Sequence, residues 1–192
     1  MRYFPISIDT KNKKMAFLGG GKIAERIINN FLKSEIKIYV FSNDFTKKIK
    51  SLKNIKLIKR EIDENFNFDL FDYVVISLNN KELAFKLEKK LKKEKKMYMI
   101  ADERSESTFI TGKVIEKNAI TVSVNTDGKN PFISKLIGEK IENLLGKLSI
   151  EKINLLNEIR IELIKKNYDV SRETKKLINK DIDYLKKYLE NL

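Results

Sequence analysis

At 192 residues the chain is long enough for one well-cored domain and a smaller appendage, and 42% apolar with 35% charged residues fits a globular fold in water. It holds no cysteine and no histidine, which excludes disulfides, thiolate nucleophiles, thiolate metal sites and the commonest general base, so its chemistry falls to carboxylates, hydroxyls, lysines or a bound cofactor. The formal charge of +13, from 40 Lys+Arg against 27 Asp+Glu, attracts polyanions of any kind, but no aromatic-interleaved basic motif accompanies it and nucleic acid is not an expected partner.

In chain order, Phe4-Pro5-Ile6-Ser7-Ile8 predicts a short edge strand, where a proline's missing donor faces outward. The start Met1-Arg2-Tyr3-Phe4-Pro5 has no secretory apolar core and no run approaches the roughly 20 apolar residues of a membrane span, so a cytoplasmic location without a membrane partner is expected. The stretch from Met15 to Arg26 is the most informative. An apolar strand, Met15–Leu18, ends in Gly19, Gly20 and Gly21 and opens into a helix marked by Ile23, Ile27 and Phe31. Gly19, Gly21 and Ala24 fit G-x-G-x-x-A: the first permits a tight turn, the second lets a pyrophosphate approach the backbone, and the small alanine lets helix and strand pack closely. Backbone N–H groups at the helix start would face the anion.

Further strands are predicted at Ile36–Phe41, Ile55–Ile58, Tyr73–Ile76 and Met97–Ala101, with a helix over Lys81–Lys95 whose Leu83, Leu87 and Leu91 recur every four residues. Strands alternating with helices specify a doubly wound, Rossmann-like α/β sheet. Beyond Asp102 the rhythm changes. Phe109–Ile115 and Ile120–Val124 leave no room between them for a helix and predict a hairpin. Asn130-Pro131 then caps and starts a helix carrying Phe132, Leu136, Ile137, Ile141, Leu144 and Leu145 on one face, closed by Gly146. Two further helices are expected, the last opening at Ser171 with Ile178, Ile182, Leu185, Leu189 and Leu192 as one stripe. The organisation expected is a nucleotide-binding domain over 1–107, a small α+β dimerisation and substrate segment over 108–146, and a C-terminal helical region over 147–192. The hairpin and its helix are too thin to form a core alone, so a homodimer that pairs them is expected.

The chain resembles the precorrin-2 dehydrogenase family, the NAD-dependent module found alone or at the N-terminus of siroheme synthase. The resemblance runs from Phe4 to about Leu145. It rests on Phe4-Pro5, Gly19-Gly20-Gly21-Lys22-Ile23-Ala24-Glu25-Arg26, the strand end Val40-Phe41-Ser42, Ile100-Ala101-Asp102 followed by Phe109, and Thr126-Asp127-Gly128-Lys129-Asn130-Pro131. It implies oxidation of precorrin-2 to sirohydrochlorin with hydride passed to NAD, and a homodimer. Some members also insert iron, which stays open here, and no metal ligand is assigned. By matching positions, Gly19, Gly21, Lys22, Ile23 and Ala24 would surround the pyrophosphate and Ser42, Asn43 and Asp44 would lie at the adenosine ribose. Asp102 would match the catalytic aspartate, and Thr126, Gly128 and Asn130 the substrate loop. Asp44 suits a ribose 2′-hydroxyl and opposes a 2′-phosphate, which favours NAD over NADP.

The chain departs from the family at Ser77-Leu78-Asn79-Asn80, where A-T-D-D is common, and at Asn125–Asn130, where S-x-G-G-x-S is usual. Leu78 lacks the hydroxyl of a threonine, and Asp127 adds a negative charge where substrate carboxylates are expected. These departures keep a second reading in view: a non-catalytic NAD-binding sensor or interaction protein that kept the cradle.

Overall fold

The computed structural model describes residues 2–101, 106–117, 120–146 and 149–192. The chain divides into two compact units, one comprising Met1–Val114 with Ser123–Lys135 and the other Ile115–Val122 with Leu136–Leu192.

The first unit is built on five parallel strands: β1 (Lys14–Leu18), β2 (Lys37–Ser42), β3 (Ile55–Lys59), β4 (Tyr73–Ile76) and β5 (Met97–Ile100), in the order β3-β2-β1-β4-β5. The order reverses between β1 and β4, so their carboxyl ends part around a crevice. Strand side chains alternate between two cores, as the period of two requires. On one face Met15, Phe17, Ile38, Val40, Val75 and Met99 pack with Ala24, Ile27 and Ile28 of α1 (Lys22–Ile28) and Ile49 of α2 (Lys47–Ser51). On the other, Ala16, Leu18, Val74, Ile76 and Tyr98 meet Leu87 and Leu91 of α3 (Lys81–Lys93). No helix joins β3 to β4. Phe66, Phe68 and Phe71 cover the sheet there instead, with Phe41 edge-on to Phe66 and Phe71 at centroid distances of 4.9 and 5.7 Å.

Three expectations are corrected. Residues 4–8 join no sheet: Phe4 and Ile6 are exposed, and Tyr3 just before them donates its hydroxyl to the Ser107 carbonyl at 3.2 Å. The hairpin strand expected from Phe109 starts at Lys113, as β6 (Lys113–Lys117), paired with β7 (Ile120–Val124). Phe109 is instead drawn into the first core, its ring 5.9 Å from Tyr73, and Thr108 beside it is hydrogen-bonded to Tyr98. Finally, α4 (Pro131–Gly146) and α5 (Ile150–Lys165) are followed by two helices rather than one, α6 (Val170–Leu177) and α7 (Ile182–Glu190). Asp181 breaks the stripe by accepting the Tyr184 amide at 2.8 Å, a cap that starts a new helix and leaves Ile178 exposed. Leu155, Ile159, Leu163, Leu177 and Leu185 form a core shared by α5, α6 and α7. No helix among the described residues is long and apolar enough to cross a membrane.

Candidate functional site

The carboxyl ends of β1, β2 and β4 enclose a cleft of about 390 Å³ lined by Gly19–Gly21, Ser42, Asp44–Thr46 and Ser77–Asn79. Its floor is the glycine turn, and each glycine has a different reason to lack a side chain. Gly19 has φ +109°, and a Cβ there would lie 2.5 Å from the Ser77 carbonyl oxygen. Gly20 is pressed from the opposite side, where a Cβ would come within 2.6 Å of the Asp44 carbonyl oxygen and 2.7 Å of the Phe45 ring. At Gly21 a Cβ would meet nothing within 4 Å, so this residue is bare toward open space. The first two glycines are thus required by the protein itself, and the third leaves room for a ligand.

Both neighbouring strands brace the turn. The Gly19 amide donates to the Phe41 carbonyl at 2.8 Å, and the Thr46 amide to the Gly20 carbonyl at 3.0 Å. From β4, the Ser77 amide and hydroxyl both donate to the Leu18 carbonyl, at 2.8 and 3.1 Å. Thr46 also accepts the Ile49 amide as N-cap of α2 and donates its hydroxyl to Glu25 of α1 at 2.7 Å, tying the two helices that flank the cleft. The sequence assigns no role to Gly20, Ser77, Thr46 or Glu25. Gly20 and Glu25 stand inside the GGG-x-x-A-E-R motif and Ser77 opens the departure at Ser77–Asn80, whereas Thr46 carries no signal without the tertiary contact.

Of the residues assigned to a nucleotide, the cleft brings together Gly19, Gly21, Ser42 and Asp44. Ala24 is fully buried where α1 packs on the sheet, as its small size predicts. Lys22 and Ile23 lie exposed on the first turn of α1, and Asn43 is exposed between Ser42 and Asp44. Helix α1 has seven residues rather than continuing to Phe31, so the cradle relies on the bare backbone of the turn more than on a long helix dipole. The Asp44 carboxylate accepts the Phe45 amide at 2.8 Å and the Lys50 ammonium at 2.9 Å, both on Oδ1. These contacts, Lys50 first, hold its carboxyl below the ordinary carboxylate range. Leu78 lines the cleft and packs its side chain partly against the second core.

Asp102 lies outside the described residues. Described residues before and after the 102–105 segment are hydrogen-bonded to one another. The Ile100 amide donates to the Ser107 hydroxyl at 2.9 Å, the Tyr98 amide to the Thr108 hydroxyl at 2.6 Å, and the Tyr98 hydroxyl to the Glu106 carbonyl at 2.8 Å. The Thr126, Gly128 and Asn130 loop is not part of the cleft lining. Thr126 Oγ1 accepts the Asn130 amide at 3.1 Å and reaches the Asn130 carbonyl at 3.0 Å and the Ser134 hydroxyl at 3.2 Å. Asn130 accepts the Ile133 amide at 3.1 Å, the cap expected of it. Asp127 and Gly128 both have positive φ, +53° and +75°, so the turn is left-handed at two successive residues. Among the described residues no cluster of three or more carboxylates has the arrangement of a metal site.

Residues 6–113 match the family described as "Putative NAD(P)-binding". The chain is 29% identical over 202 residues to the "Putative precorrin-2 dehydrogenase" of Methanocaldococcus jannaschii, covering 97% of this chain and 96% of that protein. It is 26% identical over 148 residues to the siroheme synthase of Actinobacillus succinogenes, covering 76% of this chain but 31% of that longer protein. Among solved structures, "SirC, precorrin-2 dehydrogenase" shares the fold with a TM-score of 0.74 at 18% identity, over 98% of this chain and all of the other.

Proposed function

The chain belongs to the precorrin-2 dehydrogenase family of NAD(P)-binding oxidoreductases, and from that premise we propose that it oxidises precorrin-2 to sirohydrochlorin with NAD as hydride acceptor. The observation that carries this reading is the cleft at the reversal of strand order, floored by a glycine turn in which Gly21 is bare toward open space.

Each residue then has a task. Gly19 and Gly20 let the turn close, and the backbone at Gly21, Lys22 and Ile23 approaches the pyrophosphate while Ala24 seats α1 on the sheet. Ser42, Asn43 and Asp44 meet the adenosine ribose, where Asp44 Oδ2 accepts a hydroxyl hydrogen. Bound NAD supplies the electrophilic ring carbon that takes the hydride. Oxidation also releases a proton, and Asp102, two residues past β5 in the sequence, takes it as general base. The clasp of Ser107 and Thr108 onto Ile100 and Tyr98 fixes the chain flanking that carboxylate. Gly128 and Asn130 contact the carboxylate arms of the macrocycle. The Thr126 hydroxyl, already committed to Asn130 and Ser134, holds them in place. The charge of +13 draws a substrate rich in carboxylates. The protein acts as a homodimer through the exposed apolar side chains of α4.

The deciding experiment mixes the purified chain with precorrin-2 and NAD without oxygen and follows sirohydrochlorin and NADH by absorbance. We expect both to form together and both to collapse in Asp102→Ala. Measurable NAD binding with no turnover would instead establish the non-catalytic NAD-binding sensor, the reading favoured by Leu78 and Asp127 where the family has other side chains.

A further inference from the structure

The ion pair beside the ribose end of the cleft changes what Asp44 can discriminate. An unpaired aspartate at this place repels a 2′-phosphate and so excludes NADP. Asp44 is not unpaired. Its Oδ1 accepts the Lys50 ammonium at 2.9 Å, and the carboxylate side chain is 84% exposed and the lysine 54%, so the pair sits at the cleft mouth in contact with solvent. The Asp44 Oδ2 atom has no partner among the described residues, so a ribose hydroxyl can be accepted without breaking the pair. More positive charge lies close by. Lys59, in register with Ser42 across β2 and β3, lies near enough to act on the Asp44 carboxylate through its charge, and the Arg60 amide donates to the Ser42 carbonyl at 3.2 Å.

We propose that Lys50 is a specificity-determining residue that neutralises Asp44 and offers its ammonium to a 2′-phosphate, so that the cleft accepts NADP as well as NAD. Lys50 lies on α2, whose start is anchored by Thr46 to the glycine turn and to Glu25, and its flexible stem can turn from carboxylate to phosphate without moving the helix. When the 2′ position carries a hydroxyl, Lys50 stays on Asp44. When it carries a phosphate, Lys50 bridges phosphate and carboxylate and Lys59 adds its charge. The inference rests on the nucleotide site proposed above, but it concerns binding and needs no turnover of precorrin-2.

The test is calorimetric titration of the intact chain with NAD, NADP, 5′-AMP and 2′-AMP. For the wild type we expect Kd values for NAD and NADP within about tenfold of each other, with the NADP value rising more steeply with salt. Lys50→Ala is expected to weaken NADP and 2′-AMP by about tenfold while leaving NAD and 5′-AMP within about twofold, and Asp44→Asn to tighten NADP. A merely structural lysine would shift all four ligands together. Equal shifts for all four, or a wild type that binds NAD but shows no heat with NADP, overturn the inference and leave the dehydrogenase reading intact. Dual binding in a protein that does not oxidise precorrin-2 sinks that reading alone.

Discussion

Gly19 and Ser77 approach so closely that a methyl group on Gly19 would lie 2.5 Å from the Ser77 carbonyl oxygen and 2.9 Å from its hydroxyl. The two residues directly follow the adjacent parallel strands β1 and β4, at the place where the strand order reverses. Their contact makes the glycine turn part of the sheet's own closure. Gly19→Ala must therefore strain a backbone at φ +109° and push β4 away at once, which costs about 2–4 kcal/mol. Thermal melting is the measurement, with a fall in Tm on the order of 10 °C expected for a domain of this size. An unchanged Tm would mean that the turn does not hold this closure.

Gly21 gives the opposite expectation, because its Cβ would meet no atom of the protein and its φ of −83° is open to any residue. Gly21→Ala should destabilise the fold by no more than about 1 kcal/mol, the cost of a poorer N-cap on α1, yet weaken NAD by about tenfold, since the methyl enters space the pyrophosphate would use. Titration of both variants with NAD separates the structural glycine from the ligand-facing one. Equal NAD affinity in Gly21→Ala and wild type would place the pyrophosphate elsewhere.

The glycine motif, the five strands and the capped helix α4 were legible in the sequence because each rests on a local rule: turn chemistry, apolar runs, or an asparagine before a proline. What escaped was decided between segments distant in sequence. Phe109 continues an apolar run that looks like a strand, yet the first core claims its ring, so β6 starts later. The Phe66–Phe71 cover of β3 and β4 has no periodicity to read, since its aromatic rings are ordered by Phe41 and Tyr39 on the sheet. The candidate site divides the same way. Gly19, Gly21 and Asp44 are visible as a pattern, but the bond from Lys50 that alters the meaning of Asp44 depends on α2 folding back beside the strand end.

Asp72 ties the start of β4 to the start of β1 through both its backbone and its side chain. Its amide donates to the Lys14 carbonyl at 2.9 Å, and its carboxylate accepts the Lys14 amide at 2.9 Å and the Lys13 ammonium at 3.0 Å. The Lys14 amide is the largest influence and, with Lys13, outweighs the cost of burial, so the carboxyl is held below its ordinary value. A depressed folded value means stability that is fully present above the unfolded pKa of about 3.9 and lost as pH falls through the folded value. Asp72→Asn should cost about 1 kcal/mol at neutral pH, discounted for the side chain being 36% exposed, and flatten the loss of stability in acid. Urea unfolding across pH 2–7 measures it, and parallel curves for the two proteins would remove Asp72 from the acid response.

Helix α4 presents Phe132, Leu136, Ile137 and Leu144 at 71%, 41%, 41% and 64% exposure, large apolar side chains of the kind that mark an interaction surface when they are contiguous. Burial of such a face against a second copy would make the exposed side chains a core between protomers. Leu136→Asp would then place a charge in that core and raise the dimer dissociation constant by about a hundredfold, the effect of losing one central contact. Sedimentation velocity at micromolar concentration reads the outcome directly: a dimeric wild type and a monomeric Leu136→Asp are expected. The surface location of Leu136 means the variant monomer should keep its NAD affinity, so a monomer that binds NAD would separate the assembly from the cleft. A wild type that sediments as a monomer would reject the dimer and leave the exposed face of α4 to another partner.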